Sequence, residues 1–143
     1  MLLDAQALFS DDQAITATAA STNYMNLGDT LTVPGAPAAL SRDLGGANNI
    51  ALLVQVTEDF ATLTSLTVTV QVDDNSSFSS PKTVSTTGAV VAADLVAGKK
   101  MSISIIPTGA DEQYMRVYYT VGGSSATAGT ITAGIVTGIQ TNG

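Results

Sequence analysis

Residues 65–73 read Ser-Leu-Thr-Val-Thr-Val-Gln-Val-Asp. Leu66, Val68, Val70 and Val72 fall on one side, and Thr67, Thr69 and Gln71 on the other. Side chains of an extended chain alternate with a period of two, so this is a half-buried antiparallel strand with one face on a core and one in water. The same period recurs. Residues 50–57 place Ile50, Leu52, Val54 and Val56 inward, with Leu53 out of phase and covered on both sides. Residues 101–106 place Met101, Ile103 and Ile105 inward. Residues 114–121 place Met115, Val117, Tyr119 and Val121 inward and Tyr114, Arg116 and Tyr118 outward. Residues 130–139 place Ile131, Ala133, Ile135 and Ile139 inward, leaving a smooth outer face at Gly134 and Gly138 that a neighbour can approach closely.

Weaker strands are expected at 13–20, 24–27, 31–33, 82–87 and 90–95, and a short helical turn at 4–9. Polar turn signals separate them: Leu27-Gly-Asp29, Asp73-Asp-Asn-Ser-Ser77, Ala97-Gly-Lys-Lys100, Thr108-Gly-Ala-Asp111 and Gly122-Gly-Ser-Ser125. Short, evenly spaced strands predict an all-β, antiparallel sandwich or barrel in a single domain. The division expected is an N-terminal lead or arm at 1–12 and a β-domain at 13–143. Residues 33–49 form a long loop, read as a crossover between sheets or as a contact loop.

Composition excludes much chemistry. The 143 residues include no cysteine and no histidine, which removes thiolate nucleophiles and the commonest general base and metal ligand. A net charge of −7 opposes binding to phosphate backbones, so no nucleic-acid partner is expected. No apolar run approaches the roughly 20 residues that span a bilayer, and no membrane partner is expected. The start, Met-Leu-Leu-Asp, lacks a basic flank and is not read as a signal peptide. Only 12% of residues are charged, against about 25% in an ordinary domain. The surface must be built from Ser, Thr, Ala, Gly and Asn, which is cheap to desolvate against a protein partner.

Acidic pairs stand at Asp11-Asp12, Glu58-Asp59, Asp73-Asp74 and Asp111-Glu112. All four are expected at turns, where carboxylates cap backbone amides. Neighbours in a strand point to opposite faces, so none forms a facing catalytic dyad. Asp73-Asp74-Asn75 lacks the spaced ligands of a calcium loop and reads as a hairpin turn ending in Phe78, which folds back on the core. No catalytic residue, cofactor or metal site is assigned, and the chain is read as a non-enzyme. The candidates for a protein interface are the apolar lead Leu2, Leu3, Leu8 and Phe9, and the outward stripe Tyr114, Arg116 and Tyr118, because Tyr and Arg are enriched at interfaces.

Three stretches carry a resemblance. They are the opening 1–16 with Leu27-Gly-Asp29, the segment 66–81 with Val-Gln-Val-Asp-Asp-Asn and Phe-Ser-Ser-Pro, and the segment 114–135 with Val-Tyr-Tyr-Thr-Val-Gly and Thr-Ala-Gly-Thr-Ile-Thr-Ala-Gly. Together they resemble the cement, or decoration, proteins of tailed-phage capsids. The resemblance implies a jelly-roll β-sandwich on the outer surface of the virion, made in the host cytoplasm. It implies the major capsid protein as partner. The low-charge faces also need partners, so a homodimer or homotrimer of the chain itself is expected. The alternative is a β-sandwich module that binds carbohydrate or a receptor, on a virion or as a secreted protein. Such a module needs exposed aromatics converging on one face, and the chain has no Trp.

Overall fold

The computed structural model describes residues 2–28, 34–39, 42–46 and 49–139. They form eight strands: β1 (Leu3–Ala14), β2 (Ala19–Ala20), β3 (Met25–Asn26), β4 (Ala51–Ala61), β5 (Ser65–Asp73), β6 (Lys82–Val91), β7 (Tyr114–Gly122) and β8 (Ala128–Val136). One sheet has the order β1-β8-β4, and the other β2-β7-β5-β6, with β3 also on β7. Every pairing is antiparallel. The two sheets pack as a jelly-roll-like sandwich.

The alternation at 65–73 is realised along all of β5. Leu66, Val68, Val70 and Val72 are buried and meet Met115, Val117 and Tyr119 of β7, together with Leu52, Val54, Val56, Ile131 and Ala133 of the facing sheet. Leu52, Leu53 and Val54 are all buried, so β4 is covered on both faces at that point. Tyr119 is the largest fully buried side chain, and its phenol ties the two sheets together. Ser10 Oγ donates to Gln13 Oε1 at 2.7 Å, so the 2.8 Å contact between Ser10 and Tyr119 has the phenol as donor. Burial pushes the Tyr119 pKa far above its ordinary value, with the Ser10 hydrogen bond opposing the shift. The phenol therefore stays a proton donor in the core.

Several expectations are corrected. Residues 4–9 are strand, not helical turn, and the expected division between residues 12 and 13 falls inside β1. The strand expected at 13–20 is the end of β1, a bend and the two-residue β2. Those at 82–87 and 90–95 are the single strand β6, which carries register shifts between Thr83 and Ser85 and between Thr86 and Ala89, the latter spanning Gly88 (φ +69), and ends in a 3-10 turn at Ala92–Asp94. Residues 101–106 are no regular strand, although they run along the edge of β4. Met101 N bonds Val54 O while Ser104 O accepts from Leu52 N, so three residues advance against two. The extra residue reverses the phase: Met101 and Ile103 point in as expected, Ile106 is buried, and Ile105 is 45% exposed. In β8, Ile135 is only half-buried, and the strand stops before Ile139.

Gly134 was expected on a smooth face open to a neighbour. It is buried, and the neighbour is β1 of the same chain: a Cβ there would meet Leu8 Cδ2 at 2.8 Å and Ala7 O at 2.9 Å. The strand expected at 31–33 lies outside the described residues. Within the long loop, residues 43–46 are fastened down. Leu44 N bonds Ala110 O, and the Asp43 carboxylate accepts from Gly45 N and Gly109 N. That part of the loop is a packed crossover.

Candidate aromatic and cationic contact face

β7 presents Tyr114, Arg116 and Tyr118 on the outer face because Met115, Val117 and Tyr119 occupy the inner one. Register places Gln71 of β5 beside Arg116 and Thr69 beside Tyr118. Arg116 Nε donates to Gln71 Oε1 at 2.9 Å. Its guanidinium lies 4.2 Å from the centroid of the Phe78 ring and 5.1 Å from that of Tyr118, a pair of cation–π contacts. Tyr24, 51% exposed, completes the cluster. Its ring meets Tyr114 at 5.6 Å and 79°, and Phe78 at 6.0 Å and 67°, both edge-to-face. Partial burial lowers the Arg116 pKa from the ordinary guanidinium value, while Tyr118 and Asp73 oppose the shift. A guanidinium keeps its charge in a protein regardless.

Local sequence explains why Phe78 reaches this place. Asp73 ends β5 with a buried carboxylate. One oxygen accepts from Asn75 N at 2.9 Å and the other from Ser80 N at 2.9 Å. Asn75 Oδ1 in turn accepts from Ser77 N and Ser77 Oγ. These bonds close the loop and hold Phe78 at φ +50, a conformation unfavourable for an aromatic residue. Phe78 is buried, but not between the sheets: it packs on the outer face against Arg116 and Tyr24, which corrects the expectation that it joins the core.

Asp73 links this loop to pH. Burial alone would raise its pKa, but the amide hydrogen bonds of Ser80, Asn75 and Asp74 outweigh burial and hold it below the ordinary carboxylate value. A carboxylate with a depressed folded-state pKa stabilises the fold above its unfolded pKa, about 3.9, and loses that contribution as pH falls through the folded value. Melting temperature against pH is therefore expected to fall more steeply below about pH 4 in the wild type than in Asp73→Asn. Parallel curves for the two would show that Asp73 holds no such role.

The other acidic pairs are dispersed. Asp11-Asp12 and Glu58-Asp59 lie in β1 and β4, not in turns. Asp12 sits at a bulge with φ +43, bonded to Thr132, and Asp59 Oδ1 accepts from Ala97 N at 2.7 Å. Asp111 pairs with Lys82 at 2.8 Å across an exposed surface, so the pair adds little to stability. A cleft of about 200 Å3 is lined by Val72, Asp73, Asp74, Ser80, Lys82 and Glu112. Among the described residues, no group of three His, Cys, Asp or Glu side chains is placed to hold a metal.

The apolar lead divides in two. Phe9 is 1% exposed and belongs to the inter-sheet core, so it is removed from the candidate contacts. Leu8 is half-buried against Gly134. Leu2 and Leu3 are 71% and 42% exposed. The structure thus brings Tyr114, Arg116 and Tyr118 together and leaves Leu2 and Leu3 outside that cluster. Sequence reading missed Tyr24, Phe78 and Gln71. The alternation of β5 already put Gln71 on the outer face; nothing local signalled the other two.

A family model described as Bbp16 matches residues 9–135. The match begins at the first core residue, Phe9, and takes in nearly all of both sheets, while Leu2, Leu3 and Leu8 precede it. No curated protein matches the chain.

Proposed function

The chain belongs to the Bbp16 family, a phage-associated protein family, and from that premise we propose that it is a non-enzymatic structural protein of the virion. It binds the outer surface of an assembled phage capsid and cements contacts between major capsid protein subunits, as a homodimer or homotrimer made in the host cytoplasm. The observation that carries this reading is the family match across both sheets of a jelly-roll-like sandwich. The sparse charge of the chain supports it, because a Thr-, Ala- and Gly-rich surface loses little on desolvation.

The mechanism is one of linkage. Packed DNA pushes a shell outward, and a protein seated across a seam adds interface that must break before the shell opens. Binding the assembled state and not the free subunit shifts the equilibrium toward assembly. Many symmetric copies make modest interfaces strong collectively. Pure protein mixed with mature shells that lack it is expected to co-sediment with them and to raise the temperature of genome release. Absence of both effects would overturn the proposal.

A second reading, the carbohydrate- or receptor-binding module, draws on the convergence of Tyr24, Phe78, Tyr114 and Tyr118 on one face. Their geometry disfavours it for sugars. Tyr24 packs T-shaped against Phe78 and Tyr114, and a guanidinium covers the face of Phe78, so the cluster does not offer its rings as coplanar platforms for a pyranose.

A further inference from the structure

Arg116 is a half-buried cation with no ion-pair partner among the described residues. Among the described residues no carboxylate lies within ion-pair distance of it; the single such pair is Lys82 with Asp111. Asp73, the carboxylate whose charge acts on Arg116, has both oxygens committed to the amides of Asn75 and Ser80. Stacking on Phe78 and the Nε bond to Gln71 fix the plane of the guanidinium. Its two terminal NH2 groups have no hydrogen-bond partner within the described chain. The Tyr118 ring lies against it, Tyr24 and Tyr114 pack on each other on the same face, and no hydrogen bond among the described residues uses the hydroxyl of any of the three. A guanidinium fork held in a fixed plane with free terminal N–H groups matches a planar carboxylate, which takes two parallel N–H bonds.

We propose that this outer face of the β2-β7-β5-β6 sheet is a docking surface for an acidic segment of a protein partner, with an Asp or Glu carboxylate seated on Arg116 beside Tyr118, and with Tyr24 and Tyr114 as flanking contacts on the same face. The occupant is chosen by charge. Among the described residues of an otherwise acidic chain, Arg116 is an oriented cation with no carboxylate paired to it, packed within an aromatic cluster. The net charge of −7 does not forbid this, because charges farther off than about 8 Å are screened at physiological salt. The proposal rests on the capsid-binding reading for the identity of the partner, and adds the face and the chemistry of recognition.

The test is co-sedimentation with shells lacking the protein, for wild type, Arg116→Gln, Arg116→Lys and Tyr24→Ala, each checked for an unchanged melting profile. Arg116→Gln is expected to weaken binding about 30-fold, as for a desolvated charged hot spot. Arg116→Lys is expected to restore only part of it, since an ammonium keeps the charge but loses the fork and the stacking. Tyr24→Ala is expected to weaken binding about 5-fold or more. If wild type binds shells and Arg116→Gln binds equally well, the docking surface is overturned while capsid binding stands. If wild type does not bind, capsid binding is overturned. In that case the surface is judged by ring NMR signals of Tyr24, Tyr114 and Tyr118 during titration with a short Glu-rich peptide. Shifts that Arg116→Gln abolishes support it. No shift, or shifts with glucuronate and none with the peptide, overturns it.

Discussion

Replacing Phe9 with alanine is expected to cost about 3–5 kcal/mol of folding stability, while Leu3→Asp stays within about 1 kcal/mol of wild type. Phe9 is 1% exposed within the inter-sheet cluster, and its carbonyl accepts from Asn23 N at 2.9 Å. Truncation removes a buried ring and leaves a cavity that a sandwich fixed by two hydrogen-bonded sheets cannot collapse. Leu3 stands only a few residues earlier, at the open end of β1 opposite Val136, with much of its side chain already in water. Urea unfolding of the two variants measures both numbers. Loss of less than about 1 kcal/mol in Phe9→Ala would mean that β1 is not part of the core. The same pair of variants separates fold from contact: a defect in capsid binding by stable Leu3→Asp would assign the exposed tip to the interface.

What the sequence made legible follows from where alternation is unbroken. β5 and β7 run in regular register over nine pairs, from Ser65 opposite Gly122 to Asp73 opposite Tyr114, and their inward and outward sets were readable from period alone. β1 was not. Its register shifts between Leu3 and Leu8, between Leu8 and Ser10, and again before Gln13. Phe9 and Ser10 are consequently both buried, a doublet that no period-two pattern allows. The same kind of inserted residue sent Ile105 outward after Met101 and Ile103. Bulges are set by pairing partners distant in the chain, so local pattern does not announce them. The contact face was half legible for a similar reason. Tyr114, Arg116 and Tyr118 share one strand, so alternation grouped them. Tyr24 arrives from beside β3, and Phe78 from a loop whose shape depends on Asp73 holding amides two and seven residues ahead. Their convergence is tertiary.

Gly129→Val is expected to destabilise the fold by about 2–6 kcal/mol, from two separable causes. Gly129 is the second residue of β8 and has φ +127, a conformation that L residues avoid and β-branched ones most of all. Forcing valine into it costs about 1–3 kcal/mol. The second cause is space. A Cβ at this position would overlap the Phe60 ring, which packs flat over the glycine as part of the core. Displacing that ring costs a further 1–3 kcal/mol or so. Backbone relief is blocked, because Gly129 O accepts from Ile15 N at 3.0 Å and the next residue, Thr130, is paired on both sides, with Ala14 and Glu58. A double-mutant cycle divides the two costs. In a Phe60→Ala background the overlap is gone and only the dihedral strain remains, so Gly129→Val should cost about 1–3 kcal/mol less there than in wild type. Strict additivity would show that the ring contact plays no part. A glycine that accommodates a ring and a forbidden dihedral at once is where β8 passes from the loop into the centre of its sheet, between β1 and β4, and the Phe60 contact is what requires it to have no side chain.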